Sequence, residues 1–244
     1  DKMNYIKKFD LKTNPKIKEI NMYLKKDGVV TIENFLNHDL CDSISSILDG
    51  VQKRNSNELT YVHINDAKFF SNALGVSKPA FDLVTSKEVF DISKGYLGKS
   101  IRLKCHRAYT NEKYYYFPWH TDNKFDGTKN SKYGIVFIVY LVDTNVGATE
   151  FILGSHNFSS KFDNNNFTNR FISKNYSNLI GSAYGKKGTV VISDTRTIHR
   201  GGFANNQSIN RKSFWFQIDA NLNSAERLLI NPEYLPKEIS TELS

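Results

Sequence analysis

The chain contains only two cysteines, Cys41 and Cys105, among its 244 residues. Two thiols cannot build a disulfide framework or an all-cysteine zinc site. A single bridge is open to them, but two buried, reduced thiols of a cytoplasmic protein are the expected state. Long apolar runs are also missing. The longest, Gly134 to Val142, has the length of a strand and falls well short of the ~20 residues of a membrane-spanning helix. Residues Asp1 to Asp10 mix charges without an apolar stretch, so no secretory signal is expected. No block of like charge appears either. The net charge is 33 − 25 = +8, yet the lysines are dispersed as Lys7, Lys8, Lys12, Lys16, Lys18, Lys25 and Lys26. A nucleic-acid footprint normally clusters, so a solvated basic face is expected rather than a nucleic-acid surface. Internal repeats at solenoid periods are absent.

What is present suits one domain. Hydrophobic residues make up 39% and charged residues 24% of the chain. A core at this length buries roughly 70–75% of the surface the unfolded chain exposes, without a covalent staple. Helical spacing of Ile17, Ile20 and Leu24 predicts a helix over 14–26, stopped at Asp27-Gly28. The β-branched run Val29–Ile32 predicts a strand, and Asn37 or His38 opens a second helix running to Gly50. Residues 51–77 carry no clear period, and 79–97 read as one helix. From residue 100 the texture becomes strand-like, at 101–109, 113–119, 133–142, 148–153, 188–193 and 212–219. Helices first and strands second predict an α+β, mainly β chain with an antiparallel sandwich or barrel. The Asn-rich stretch 155–178 reads as a long loop, either disordered or functional as a lid. A short helical turn is expected near Ala225–Leu229.

Six histidines occur, and one stands out by its context. Trp119-His120-Thr121-Asp122 places an imidazole and a carboxylate two residues apart at the end of a strand-like run. In an extended chain such residues share a face, so both could ligate one metal. Iron(II) oxygenases use two imidazoles and one carboxylate on one face of the metal. A third ligand must come from elsewhere in the chain. His199 is the best candidate, because it follows a strand and precedes Gly201-Gly202. His156 and Asp194 are alternatives, the latter more simply a turn residue. Arg211 lies twelve residues beyond His199 (211 − 199 = 12) and opens the last strand. Its planar guanidinium suits a carboxylate.

The order of these motifs resembles the phytanoyl-CoA dioxygenase family of iron(II)/2-oxoglutarate oxygenases. Leu24-Lys-Lys-Asp-Gly-Val-Val-Thr-Ile-Glu-Asn-Phe-Leu36 followed by a helix is similar to that family's start. Phe117-Pro-Trp-His120-Thr-Asp122 is similar to its metal motif, and Tyr140-Leu-Val-Asp-Thr-Asn-Val-Gly-Ala-Thr-Glu-Phe-Ile-Leu-Gly-Ser-His156 to its central stretch. His199-Arg-Gly-Gly with Asn206-Gln-Ser208 and Arg211 is similar to its distal histidine and cosubstrate arginine. The match runs from about residue 24 to 219 and departs at Thr121 and Leu153, neither of which is a ligand position.

This resemblance implies a double-stranded β-helix, a cupin-like jelly-roll core with N-terminal helices packed outside. Residues 1–244 form one oxygenase domain, with a mainly helical part over 1–99, the core over 100–220 and a tail over 221–244. It further implies iron(II) on His120, Asp122 and His199, and 2-oxoglutarate with its far carboxylate on Arg211. Gly154-Ser155-His156 becomes a structural turn. The implied activity is dioxygen-dependent hydroxylation, or a related oxidation, of a C–H bond in a small molecule, releasing succinate and CO2. Asp122 favours this over halogenation, whose catalysts replace the carboxylate by a small residue. The basic charge tilts the substrate toward an anion, with Lys104, Arg107, Lys113, Arg170, Arg196 and Arg200 as candidate lining residues. Two other readings compete: a cupin-like metal- or ligand-binding protein independent of 2-oxoglutarate, and a nucleic-acid demethylase of the same oxygenase class.

Overall fold

Gly28 ends the first helix for a reason visible in its surroundings. In the computed structural model, which describes residues 5–54, 60–63, 67–70, 72–111, 118–122, 134–162, 164–202, 211–220 and 230–236, α1 spans Ile17–Asp27. Gly28 caps it at φ 76°, donating its N–H to the Leu24 carbonyl. A β-carbon there would stand 2.5 Å from both His156 Nδ1 and Thr197 Oγ1, so the left-handed turn and the close approach both call for glycine. Helix α2 (His38–Arg54) is capped by the Asn37 side chain, which accepts from the Leu40 N–H at 2.8 Å. After the short α3 (Ala73–Val76), the helix expected over 79–97 is two helices. Ser77 caps α4 (Lys78–Val84) and Ser86 caps α5 (Lys87–Leu97). A serine hydroxyl competes for backbone N–H groups, and at Ser86 it starts a new helix rather than continuing the old one.

The strands, in chain order, are β1 (Lys7–Asp10), β2 (Val29–Glu33), β3 (Thr60–His63), β4 (Ala67–Phe70), β5 (Ile101–Asn111), β6 (Trp119–His120), β7 (Gly134–Tyr140), β8 (Glu150–Ile152), β9 (Asn166–Phe167), β10 (Ile180–Ser182), β11 (Val190–Asp194), β12 (His199–Arg200) and β13 (Arg211–Ala220). They form an eight-stranded sheet in the order β1-β2-β11-β7-β13-β5-β4-β3 and a five-stranded sheet in the order β10-β8-β12-β6-β9. Neighbours are antiparallel except the β1–β2 pair. The expected strand at 29–32 lies inside the large sheet beside β11, and β3, β4 and α3 occupy part of the stretch that had no readable period.

Alternation along the strands divides the molecule into layers. Ile135, Phe137 and Val139 of β7 join Val30, Ile32, Ile192, Phe214 and Phe216 in one apolar cluster with the helices. Phe137 and Phe216, paired in register, stack at 4.8 Å between ring centroids. The opposite parity, Val136, Ile138 and Tyr140, faces inward with Val29 and Val191 and meets Phe151 and Ala183 of the smaller sheet. The result is the expected double-stranded β-helix with helices outside. A third cluster covers the far face of the smaller sheet, where Trp119, Ile152 and Ile198 pack with Phe167 and Ile172. It is formed largely by the stretch read as a loop. Residues 155–178 fold into 3₁₀ turns, β9 and a helix, α6 (Asn169–Tyr176), capped by Thr168. Phenylalanines dispersed among asparagines anchor this cap, and burial of Phe158, Phe162 and Phe171 outweighs the low helix and strand propensity of asparagine. The turn expected near 225–229 lies outside the described residues.

His106 lies on the helix-facing side of β5, at 3% exposure, with its ring 6.4 Å from that of Phe214. Its Nδ1 has no hydrogen-bond partner among the described residues. Burial, aided by the Arg107 charge, pushes its pKa down to about 4. The unfolded chain protonates near 6.5, so between these values the unfolded state binds more protons. Stability contributed by neutral His106 is therefore complete above pH 6.5 and drains away as pH falls toward 4. Urea unfolding is expected to lose about 2 kcal/mol from this residue between pH 7 and pH 5. His106→Leu should flatten that part of the slope, and His156, whose pKa burial also lowers, should retain part of the remainder.

Candidate metal centre

Strands β6 and β12 are only two residues long, and their antiparallel pairing sets His199 directly opposite His120. The ring centroids are 4.3 Å apart. Each Nδ1 lies 2.9 Å from a carbonyl oxygen two residues back, Pro118 for His120 and Thr197 for His199. A carbonyl only accepts, so each Nδ1 carries a proton, and Nε2 is the nitrogen each ring turns to the other side. Both Nε2 atoms face Asp122 Oδ1, at 3.7 and 3.6 Å. The three ligand atoms lie within 4.8 Å of one another. Burial first, and the neighbouring His199 second, hold the His120 pKa down to about 4, so this imidazole is neutral at physiological pH. Two imidazoles and one carboxylate make a donor set suited to iron(II).

Asp122 does not reach the site by the strand pleat, because β6 ends at His120. Its N–H donates to the Thr195 carbonyl at 3.0 Å, so the turn between β11 and β12 supports both the carboxylate and His199. That turn is fastened from several sides. Asp194, 1% exposed, accepts from the Arg196 backbone N–H and Nε at Oδ1, and from Arg196 Nη2 and the Tyr96 hydroxyl at Oδ2, all at 2.7–2.9 Å. The Asp194 N–H and the Thr197 hydroxyl both donate to the Gly28 carbonyl at 2.9 Å. Ser155 Oγ accepts from the Ile198 N–H at 2.8 Å, and His156 Nε2 sits 2.9 Å from the Lys25 carbonyl. Of the two alternative ligands, Asp194 therefore fastens the turn, and His156 is engaged by the carbonyl of Lys25 in α1. Arg196 is engaged by Asp194. Arg200 pairs with Glu150 at 2.6 Å and covers the Trp119 ring at 4.5 Å on the far face of the smaller sheet. Arg170 is exposed, and Lys113 lies outside the described residues.

Arg211 begins β13 on the inward parity, 5% exposed, with Nη1 donating to the Gly147 carbonyl at 2.9 Å and its guanidinium 5.4 Å from the Tyr109 ring centre. Ser213, two residues on and on the same face, is fully buried with a hydroxyl that has no partner among the described residues. Sequence reading passed over Ser213. Its period-2 relation to Arg211 was the available signal. A buried hydroxyl next in line to a buried guanidinium fits an anionic oxygen.

A family model of phytanoyl-CoA dioxygenase (PhyH) matches residues 24–213. The chain belongs to the phytanoyl-CoA dioxygenase family. This family member is a non-haem oxygenase dependent on iron(II), 2-oxoglutarate and dioxygen. Its fold is shared with two solved structures. One is the non-heme alpha-ketoglutarate-dependent carbocyclase SnoK from nogalamycin biosynthesis, at TM-score 0.67 and 16% identity, covering 85% of each chain. The other is the epimerase SnoN in complex with Fe3+, alpha-ketoglutarate and nogalamycin RO, at TM-score 0.61 and 15% identity, covering 83% of this chain and 82% of that one. No curated protein matches the chain in sequence.

Groups that orient metal ligands typically alter metal affinity 10- to 100-fold when removed. Ser155→Ala and Tyr96→Phe are each expected to weaken iron(II) binding about tenfold in an anaerobic titration. A variant that melts at lower temperature yet binds iron(II) as before would mark the fastening as purely structural.

Proposed function

We propose that this oxygenase oxidises a C–H bond of a small molecule, with iron(II) on His120, Asp122 and His199 and the far carboxylate of 2-oxoglutarate on Arg211 and Ser213. One observation carries this reading: three ligand atoms converge on the inner face of one sheet, while Arg211 and Ser213 are buried on the inward parity of the other. Bound there, iron and 2-oxoglutarate would supply dioxygen activation coupled to formation of succinate and CO2. The protein's own contribution is to hold that chemistry in place. Two imidazoles and a single carboxylate would leave coordination positions for cosubstrate and dioxygen. Arg211 neutralises a carboxylate that would otherwise be costly to bury. Val136, Ile138 and Phe151 give the space between the sheets apolar walls that exclude water. Asp122 at the ligand position supports hydroxylation or a related oxidation rather than halogenation.

The chain is read as a single domain, because β2 from the N-terminal part pairs with β11 of the core. Buried Cys41 and Cys105, neither in a disulfide, suit the reducing cytoplasm. Among the described residues no helix is long and apolar enough to cross a membrane.

The test needs no substrate. Protein loaded with iron(II) without oxygen should develop the visible charge-transfer band of a chelated keto acid when 2-oxoglutarate is added. His199→Ala should abolish the band. Arg211→Ala should raise the 2-oxoglutarate concentration needed to form it by on the order of a hundredfold, the effect of losing a buried charge-assisted contact. Iron bound without a band would overturn the oxygenase site in favour of a cupin-like binding protein.

A further inference from the structure

Strand β13 lines the space between the sheets along its whole length, but its inner face changes character. Arg211 and Ser213 occupy the first part, Trp215 the middle, and Gln217 and Asp219 the end. At about 3.3 Å per residue, Asp219 lies roughly 26 Å from Arg211 along the strand. One short dicarboxylate at the Arg211 end cannot fill that length, so the Asp219 end is left to another ligand.

A β-bulge shapes this second end. Gln217 pairs with Cys105, and Ile218 pairs with Leu103, so Lys104 is the extra residue with no opposite number. Released from the ladder, Lys104 reaches the inward carboxylate of Asp219, with Nζ 3.7 Å from Oδ2. Asp219 is 1% exposed, lies across Gly134 so closely that a β-carbon there would meet Oδ1 at 1.8 Å, and accepts from Gln217 Nε2 at 2.7 Å. Burial raises the Asp219 carboxyl above its ordinary value, Gln217 and Lys104 pull it back, and the Asp122 charge raises it. Gly134 in turn accepts from the Thr195 N–H at 3.0 Å, and the Thr195 carbonyl accepts from the Asp122 N–H, so this wall adjoins the turn that carries the candidate ligand Asp122. Arg107, opposite Trp215 in register, holds its guanidinium 5.3 Å from the indole centre on the same inner face.

The Lys104 side chain is 29% exposed. An ammonium has three donors, and its one ion-pair contact among the described residues is longer than a hydrogen bond. Asp219, itself fixed by Gln217, thus orients a cation without exhausting it. The basic residues that were candidates for lining the site separate cleanly: Arg196 and Arg200 are consumed in structural pairs, whereas Lys104 and Arg107 lie on the inner wall beyond the cosubstrate end.

We propose that Lys104, held on the bulged wall of the barrel by an Asp219 carboxylate that Gln217 orients, is the anchor for an acidic group of the substrate, a carboxylate or a phosphate monoester. The substrate's apolar part then lies along Trp215 toward the metal. The assignment deepens the oxygenase reading and rests on it.

The experiment uses the iron(II)·2-oxoglutarate protein without oxygen. Butanoate, hexanoate, octanoate and hexyl phosphate are titrated calorimetrically, each carboxylate against its uncharged primary amide and the phosphate against hexanol. At least one acid should bind ten- to a hundredfold more tightly than its uncharged counterpart, the range expected for a charge-assisted hydrogen bond. Lys104→Met should erase the difference while the keto-acid band persists, and Lys104→Arg should restore much of it. The comparison of acid with uncharged counterpart in the unaltered protein needs no variant to fold. Uncharged compounds binding as well as acids, a preference for acids that survives in Lys104→Met, or no acid binding at all while the band is intact would each overturn the anchor and leave the oxygenase reading standing. Absence of the band itself in the unaltered protein would overturn both.

Discussion

The metal centre is built on two strands too short to hold themselves, and everything else depends on the turn that joins β11 to β12. A two-residue strand contributes almost no ladder energy or rigidity, so the positions of His120 and His199 are set by what borders them. Asp194 is the hub: its carboxylate is buried and fully engaged by Arg196 and Tyr96. The low local dielectric strengthens those charge-assisted bonds. The turn then hands out its own backbone groups, the Thr195 carbonyl to Asp122 and the Thr197 carbonyl to His199. One rigid segment thereby sets two of the three ligands, and the third follows from direct pairing of His120 with His199.

The two faces of the large sheet divide the work. Outward residues of β7 and β13 join the helices in a continuous apolar core. Inward residues of β13 are largely polar, with Arg211 and Ser213 at one end and Gln217 and Asp219 at the other. The strand is buried on both faces, yet only one face is apolar. Polar side chains on that face are either paired, as Asp219 is with Gln217 and Lys104, or, like Ser213, buried with a hydroxyl that has no partner among the described residues. The bulge at Gln217/Ile218 adds a cation to this face that strict alternation would not have allowed.

Much of this was legible from local pattern. The helix stop at Gly28, the strand at Val29, the Asn37 cap and the long strands after residue 100 follow from turn chemistry and period, and the structure contains them. The split at Ser86 and the helix at Asn169–Tyr176 were less accessible. At Ser86 a serine cap interrupts an apolar period that continues across it, and at Asn169–Tyr176 packing of phenylalanines against Trp119 overrides weak local preferences. His120, Asp122, His199 and Arg211 were readable as residue types in a telling order, but the stated reason for pairing His120 with Asp122 was incomplete. The strand ends between them, and a backbone bond to Thr195 brings the carboxylate round.

By itself the sequence determined which side chains could serve: two histidines and an aspartate able to bind iron(II), an arginine for a carboxylate, and alternating apolar residues for two packed sheets. These depend on residue identity and short-range spacing, which the chain carries without folding. Tertiary structure alone decided which of these groups converge: it brings the ligand atoms of His120, Asp122 and His199 within 4.8 Å of one another. His156 and Asp194 have the same chemistry, but the fold places the Lys25 carbonyl and the Arg196 guanidinium within hydrogen-bond reach of them, and a buried polar group is held by the partner the fold brings to it.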